Sequence, residues 1–275
     1  MSIRTKILTL GKTIQHVRNW PAVALGRLPG FSGHEHAIVA RFRNGLNVVH
    51  RSEAQDWGSI REVMFEGTYE VCLNYLKQQS GRFAILDFGA NIGLFSLRAA
   101  HSNLGADVHA YEPASQNITL VNMNRRANPE LLSRIHVYAE AVGGFSRTAS
   151  FVYNEKYPEG SKLSTAPSDA AITVMVRSAA EIIQRVTSPI GLAKIDVEGA
   201  EYEIFEHTPV VIWGRVPAIS IEIHDDPAGK ITKRSLFDRI ESLGYRGVKE
   251  YAGADSWFFL KTSARQGSSC SLPSG

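Results

Sequence analysis

The sequence predicts an α/β, Rossmann-like fold with a mostly parallel seven-stranded sheet that ends in an antiparallel hairpin. Short apolar runs recur along the chain, and a polar residue follows each of them. Strands that are buried on both faces of a parallel sheet have this pattern. Helical patterns lie between the runs, and such alternation is typical of an open, doubly wound sheet.

The predicted strands are Ala84–Leu86, Val108–Tyr111, Ile135–Ala139, Leu192–Ile195, Ala218–Ile223, Tyr245–Glu250 and Ser256–Leu260. The last two flank a short loop and form the hairpin. Predicted helices include Gly93–Ala100, Gln116–Ala127 and Phe237–Leu243, the last of which ends at Gly244. Ligands of such a sheet bind beyond the carboxyl ends of its strands. The polar residues at those ends are Asp87, Glu112, Glu140, Asp196 and His224.

Pattern divides the 275 residues into three parts. Residues 1–60 form an accessory segment with a helix and a hairpin around Asn44-Gly45. Residues 61–262 form the main domain, and the Ser/Gly/Pro-rich residues 263–275 a disordered tail. No apolar run is long enough for a membrane-spanning helix, and the N-terminus resembles no strong secretory signal. Cys72 and Cys270 lie too far apart in sequence for a metal pair or a disulfide framework, so a cytoplasmic location is expected.

Charge is unevenly distributed, although the net charge is only +3. Residues 1–51 contain eight Lys/Arg and one acid, Glu35. This excess predicts either contact with an anionic partner, such as a membrane surface, or a solvated basic face on an accessory helix. The chain has no Asn-Pro-Pro-Tyr-type tetrapeptide and no patch of interleaved basic and aromatic residues. We therefore expect no nucleic-acid partner.

The most informative motif runs from Ile85 to Gly93, where a strand leads through a glycine-rich turn into a helix. Gly89 permits a tight turn, and Gly93 permits close approach of the helix to the sheet and ligand. The helix N-terminus offers free N–H groups, and Asp87 and Asn91 add hydrogen-bonding side chains. The sequence therefore predicts a nucleotide-type binding site.

A dinucleotide site would instead have the spacing G-x-G-x-x-G. Here the spacing is G-x-x-x-G with an acid two residues earlier, which favours a ligand with an amino-acid end and no phosphates, such as S-adenosylmethionine. Glu112, followed by Pro113, ends the second strand and is placed to accept hydrogen bonds from ribose hydroxyls. Glu140 and Ala141 follow the third strand, where an adenine ring would lie.

Three segments together resemble the FkbM-type methyltransferases: Asp87–Gly93, Tyr111–Pro113 and Lys194–Glu201. Ile219–His224 and Phe65–Tyr69 resemble further segments of that family, so that the resemblance covers roughly residues 60–225. It implies a class I methyltransferase fold and methyl transfer from S-adenosylmethionine, usually to a hydroxyl oxygen. The family's acceptors include sugars, glycolipids and polyketides. We therefore expect O-methylation of a saccharide or glycolipid.

Four residues near the predicted acceptor position are candidates for catalysis. Asp196 would anchor cofactor or acceptor, Glu198 would bind the acceptor, and Lys194 would orient a carboxylate or stabilise an oxyanion. His224 is the candidate base, because the usual pKa of histidine lies near neutrality. Structural interpretations stay open. Lys194 and Asp196 would share one strand face and could form an ion pair, Glu198 and Glu201 could stabilise a helix N-terminus, and His224 could be a strand-end histidine.

Other interpretations remain beside methyl transfer. We assign no metal site, although Asp196, Glu222, His224, Asp225 and Asp226 offer ligands that suit Mg²⁺. Asp225-Asp226-Pro227 reads equally well as a turn. An NAD-dependent oxidoreductase and a non-catalytic nucleotide-binding protein are the alternative functions. The missing G-x-G-x-x-G argues against the first, and the acids after the fourth strand argue against the second.

Overall fold

The computed structural model describes residues 3–26, 37–52, 56–153, 162–164, 171–252 and 254–262, so the predicted tail lies outside the described residues. The strands are β1 (Ala37–Arg41), β2 (Asn47–Arg51), β3 (Phe83–Phe88), β4 (Ala106–Tyr111), β5 (Ile135–Tyr138), β6 (Ala141–Gly143), β7 (Arg147–Val152), β8 (Lys162–Ser164), β9 (Ala171–Ser178), β10 (Ile190–Ile195), β11 (Ala218–Glu222), β12 (Tyr245–Tyr251) and β13 (Ser256–Lys261). The α-helices are α1 (Ile3–His16), α2 (Trp20–Gly26), α3 (Asp56–Arg61), α4 (Glu70–Lys77), α5 (Leu94–Ser102), α6 (Ser115–Ala127), α7 (Ala179–Arg185), α8 (Glu201–His207), α9 (Val210–Trp213) and α10 (Lys233–Ser242). A π-helical turn spans Glu62–Glu66, and a 3₁₀ turn spans Pro129–Leu131.

Seven strands form the central sheet in the spatial order β5-β4-β3-β10-β11-β13-β12. Strands β5, β4, β3, β10 and β11 pair in parallel, whereas β13 is antiparallel to both β11 and β12. The predicted fold class and its C-terminal hairpin are confirmed. From β3 the chain builds outward through β4 and β5, then returns to β10 on the other side of β3. This switch point leaves a crevice beyond the carboxyl ends of β3 and β10.

Both faces of the central sheet are covered, which explains its apolar strands. Every residue of β3 and of β10 is buried. Successive side chains of a strand point to opposite faces, so Ile85 packs in a cluster with residues of α4 and α5, while Leu86 packs with residues of α7, α8 and α10. Because helices cover the faces, ligands reach this part of the sheet at the strand ends.

The predicted N-terminal hairpin is present as antiparallel β1 and β2, with Gly45 in the left-handed region at φ 102°. The side chains of Asn124 in α6 and of Asn128, which follows the helix, bind the outer edge of β2. The backbone N–H of Val49 donates to Asn124 Oδ1 at 2.6 Å, and that of Asn47 donates to Asn128 Oδ1 at 2.8 Å. The hairpin and Val17 share a hydrophobic cluster with the main sheet. A boundary near residue 60 stays a prediction.

A second, four-stranded sheet in the order β6-β9-β7-β8 lies between β5 and α7 in the chain, and the sequence analysis did not predict it. Strand β9 pairs in parallel with β6 and antiparallel with β7. Its buried side chains alternate, at Val174, Val176 and Ser178, as expected for a sheet with one covered face. Val176 packs with Ala141 and Phe151 in a small third cluster beside the crevice.

Among the residues that the structure describes, no helix combines the length and the apolar character needed to cross a membrane.

Candidate active site

The turn after β3 and the end of β10 touch at the switch point. Gly89 has φ 79°, and a Cβ atom built on it would lie 1.8 Å from the carbonyl oxygen of Asp196. The N–H groups of Gly89 and Ala90 donate to the Tyr111 carbonyl at 3.1 and 2.9 Å, which ties the turn to β4. Gly93 has φ 84° and directly precedes α5. The two glycines therefore occupy positions that their backbone conformation and close contacts require.

Glu112 lies buried at the end of β4 and accepts hydrogen bonds from the turn and from the next helix. Its carboxylate accepts the N–H of Asn91 at 2.9 Å, the N–H of Ala114 at 3.0 Å and the Asn117 amide at 3.3 Å. Burial raises the pKa of Glu112 to about 7, although these hydrogen bonds act in the opposite direction. Arg51 of β2 donates to Asn117 Oδ1 at 3.1 Å, so the N-terminal hairpin helps to position a residue that holds Glu112.

A cleft runs over these strand ends. Among the predicted cofactor residues, Gly89, Asn91, Glu112, Pro113, Ala141 and Asp196 line it. The residues that sequence reasoning missed there are Tyr111, Asn117, Val142, Phe151, Leu163 and Val197, and Glu198, predicted for the acceptor, also lines it. Phe151 and Leu163 come from the inserted sheet. The alternation of apolar and polar residues in 147–152 and 171–178 could have indicated that sheet.

Three predicted cofactor residues lie outside the cleft lining. Asp87 is fully buried beneath the turn, where it accepts the Ser96 hydroxyl at 2.6 Å. Gly93 packs against Val121, and a Cβ atom added to Gly93 would lie 3.2 Å from Val121 Cγ1. Glu140 pairs with Arg177 at 2.5 Å and lines a separate recess beside Tyr111. Direct contact of these three with the cofactor stays a prediction.

Lys194 is buried and held by partners on three sides. Its Nζ donates to the Gly89 carbonyl at 2.7 Å and lies 3.2 Å from Asp196 Oδ2 and 3.4 Å from Asp87 Oδ1. Burial lowers the pKa of Lys194, but the two aspartates outweigh that effect and raise it to about 12. Lys194 is thus a permanent cation that joins the two central strand ends. This is the ion pair that the strand alternation allowed.

A second cavity of about 180 Å³ adjoins the cleft. Its wall toward the cleft consists of residues that line both spaces: Gly89, Asn91, Asp196 and Glu198. Its other lining residues include Ser59, Glu62, Thr68, Tyr69, Phe95, Lys194, Glu222 and His224. The structure therefore brings all four predicted catalytic residues to one cavity beside the predicted cofactor site. Four of its lining residues carry carboxyl groups: Glu62, Asp196, Glu198 and Glu222.

His224 follows β11 and lies among carboxylates. Its Nδ1 is 3.0 Å from Glu201 Oε1, and its Nε2 is 3.4, 3.9 and 4.0 Å from carboxylate oxygens of Glu198, Asp196 and Glu222. Burial lowers the pKa of His224, but the Glu201 hydrogen bond and the surrounding negative charges raise it to about 10. The usual pKa of histidine therefore does not apply to this ring, because four acids that lie apart in the sequence converge on it.

Two of those acids hold protons more tightly than free carboxylates. Burial, with repulsion from Asp196 and Glu201, raises the pKa of Glu198 to about 8, although His224 acts in the opposite direction. Burial and repulsion from Asp196 raise the pKa of Glu222 to about 7. Glu198 also has φ 54°, a conformation that is costly for a residue with a side chain. The loop therefore holds its carboxylate in a fixed, strained position at the wall.

Asp225 and Asp226, two of the acids that the sequence offered as ligands suited to Mg²⁺, do not join this cluster. Asp225 is exposed and pairs with Lys233 at 3.5 Å. Asp226 accepts the N–H groups of Ala228, Lys230 and Ile231 at 2.7–2.9 Å, which is the turn that the sequence also suggested.

We expect Glu112→Ala to weaken cofactor binding by about 1.5–3 kcal/mol, the usual contribution of hydrogen bonds to a charged group. The substitution also frees the N–H of Asn91, so the turn loses an anchor. Calorimetric titration with S-adenosylhomocysteine measures the effect. The control is Asp107→Ala, which removes an acid that lies near the other end of β4 and pairs with Arg82. Equal weakening in both variants would contradict a specific role for Glu112.

Comparison with known proteins places the chain among methyltransferases. Residues 87–247 match the methyltransferase FkbM domain family. The chain is 25% identical over 219 residues to 31-O-demethyl-FK506 methyltransferase FkbM of Streptomyces tacrolimicus, covering 67% of this chain and 81% of that protein. The methyltransferase FkbM structure from Methylobacillus flagellatus KT is 18% identical, with a TM-score of 0.44 over 65% of this chain. The chain spans 44% of that protein's length. A putative caffeoyl-CoA O-methyltransferase structure from Staphylococcus aureus is 13% identical, with a TM-score of 0.46, covering 76% of this chain and 90% of that one.

Proposed function

The chain belongs to the FkbM family of S-adenosylmethionine-dependent methyltransferases, and from this premise we propose that it methylates a hydroxyl oxygen of a saccharide or glycolipid. Membership of this family argues against the NAD-dependent oxidoreductase that the sequence left open. The non-catalytic alternative is addressed by the turnover experiment below.

The residues of the cleft fit the cofactor. Within the described part of the chain, no hydrogen-bond partner reaches the buried Oδ1 of Asn91, which is available to a donor on a ligand. Glu112 stands where acids of related folds accept hydrogen bonds from ribose hydroxyls. The carboxylate of Asp196 lies at the junction of the two spaces, where its negative charge would stabilise a sulfonium cation.

The cofactor, when bound, supplies an electrophilic methyl group: the acceptor oxygen bonds to its carbon, the carbon–sulfur bond breaks with its electron pair left on sulfur, and the hydroxyl proton leaves for a base. The cavity residues have to place that hydroxyl and accept its proton. His224 Nε2 faces the cavity and can receive the proton once its ring is neutral.

The observation that carries the acceptor class is the composition of the second cavity. The carboxyl groups of Glu62, Asp196, Glu198 and Glu222 line the cavity together with the hydroxyls of Ser59, Thr68 and Tyr69. Ionised carboxylates only accept hydrogen bonds, whereas hydroxyls and protonated carboxyls both donate and accept them. Lys194, which also lines the cavity, is already engaged by Asp87 and Asp196. A matching acceptor is therefore rich in hydroxyl groups, which both donate and accept hydrogen bonds, as a saccharide is.

The first test is calorimetric titration of the folded protein with S-adenosylmethionine and S-adenosylhomocysteine, where micromolar binding is expected. Transfer of a radiolabelled methyl group is then measured with neutral sugars, glycolipids and, for comparison, lipids without hydroxyl-bearing headgroups. Methylation of a sugar hydroxyl supports the proposal. Methylation confined to nitrogen, or to acceptors without a saccharide, would contradict it, and binding without any turnover would favour the non-catalytic alternative.

We also propose that the basic N-terminal segment contacts anionic membrane surfaces, which would bring a lipid-linked acceptor close. The support is the excess of Lys/Arg in residues 1–51. Sedimentation with anionic liposomes at low salt, against neutral liposomes, tests it, and equal sedimentation with both would end this proposal. Whether turnover depends on Mg²⁺, which the sequence leaves open without assigning a metal site, is checked by comparing turnover in EDTA with turnover after MgCl₂ is restored.

A further inference from the structure

Glu201 is a buried carboxylate that the sequence analysis considered only as a charge at a helix N-terminus. It is the first residue of α8, and its side chain has no exposed surface. A buried carboxylate is costly unless hydrogen bonds satisfy both of its oxygens. Glu201 meets this requirement with partners from two different segments, the loop after β10 and the end of β11.

The first set of partners is the loop that carries Glu198. Glu201 Oε1 accepts the N–H of Val197 at 3.0 Å, and Oε2 accepts the N–H of Gly199 at 2.9 Å. These bonds span the strained residue between them. They therefore offset the cost of the left-handed backbone at Glu198 and hold its carboxylate at the wall between cleft and cavity.

The second partner is the imidazole ring of His224, whose Nδ1 lies 3.0 Å from Glu201 Oε1. The neighbouring residue of α8 holds the same histidine by its backbone, because the Tyr202 hydroxyl donates to the His224 carbonyl at 2.8 Å. The first two residues of one helix thus fix both the ring and the main chain of His224. Nε2 is left facing the acceptor cavity, which His224 lines.

We propose that Glu201 is a positioning residue for the methyl transfer, which keeps the proton of the neutral ring on Nδ1 and the lone pair of Nε2 directed at the acceptor hydroxyl. A hydrogen-bond acceptor beside one ring nitrogen keeps the proton on that nitrogen, so the other nitrogen acts as the base. The inference rests on the proposed function, in which His224 receives the hydroxyl proton at Nε2.

The electrostatic surroundings of the ring define what a test can measure. The charged groups that face His224 are the carboxylates of Glu201, Asp196, Glu198 and Glu222. One of them, Asp196, also pairs with the buried Lys194, at 3.2 Å. Of the four acids, Glu201 is the one bonded to Nδ1. Glu201→Gln removes its charge and keeps its shape, so the pKa of His224 should fall, by the roughly 1–3 units that an adjacent opposite charge contributes.

The experiment is ¹⁵N NMR of histidine-labelled full-length protein with S-adenosylhomocysteine, in which His224→Gln assigns the signal. In the wild type, we expect the neutral ring to carry its proton on Nδ1. Glu201→Gln should lower the pKa of His224 and move the rising limb of turnover against pH to lower pH. The matched control is Glu203→Gln, since Glu203 lies on the same helix but pairs with Arg147 at 2.6 Å. A purely structural role would lower turnover evenly across pH without moving that limb.

An unchanged His224 pKa in folded Glu201→Gln protein would overturn the proposal, and so would a wild-type neutral ring protonated on Nε2. The second measurement needs no variant, so it decides the matter even if Glu201→Gln does not fold. Both measurements are independent of methyl transfer. Failure of the wild type to bind the cofactor or to methylate a sugar would therefore count against the proposed function alone.

Discussion

Gly89→Ala is expected to abolish measurable cofactor binding and to lower the free energy of unfolding by about 2–5 kcal/mol. Two costs add: a side chain at positive φ, about 1–2 kcal/mol, and forced overlap in a packed site, about 1–3 kcal/mol. The added Cβ would lie 1.8 Å from the Asp196 carbonyl oxygen, so the end of β10 has to move. That movement displaces Asp196 and Glu198, which line both cavities. Chemical denaturation and calorimetric titration measure the two effects.

Gly244→Ala is the matched control for Gly89. Gly244 has φ 90°, but a Cβ there would meet no atom within 4 Å. The Gly244→Ala variant should therefore lose only about 1–2 kcal/mol of unfolding free energy, the cost of a side chain at positive φ, and should bind the cofactor normally. If Gly89→Ala is no less stable than Gly244→Ala and still binds, the contact between the β3 turn and Asp196 does not shape the site.

His224→Gln is expected to lower turnover by at least about 100-fold, the lower range for loss of a positioned base, while affinity for the cofactor is unchanged. Glutamine cannot take the hydroxyl proton, and His224 lines the cavity proposed for the acceptor but not the cleft proposed for the cofactor. Steady-state kinetics on the methylated acceptor, together with titration of S-adenosylhomocysteine, separates the two quantities. Undiminished turnover would remove the histidine from the mechanism.

The same residue predicts the pH dependence. The pKa of His224 is raised to about 10, so at neutral pH most rings carry a second proton and cannot act as a base. Turnover of the wild type should therefore increase as pH rises toward about 10, and this increase should be absent in His224→Gln. A bound methyl acceptor that displaces water or shifts the nearby acids would move the pH at which turnover rises. The difference in turnover between the wild type and His224→Gln at each pH would still measure the contribution of the histidine.

Local patterns were sufficient to predict the fold and the glycine-rich turn after β3. Buried parallel strands are apolar throughout, and Gly89 and Gly93 lie at the fixed spacing that a strand–turn–helix corner needs. The inserted sheet escaped notice because β6 and β8 are only three residues long and much of β9 is exposed. Glu201 escaped for another reason: its partners come from Val197, Gly199 and His224, and no sequence spacing indicates that the end of β11 packs against the start of α8.

The cleft and the cavity share a single wall, which affects how cofactor and acceptor would enter and leave. Cleft and cavity are both open to solvent, and apart from Gly89, Asn91, Asp196 and Glu198 they are lined by different elements. Neither reactant has to pass through the other's site to enter or leave. Under the proposed function, the spent cofactor would therefore leave while a long acceptor stays bound, and an acceptor with several sugar units would be methylated in successive rounds during one encounter.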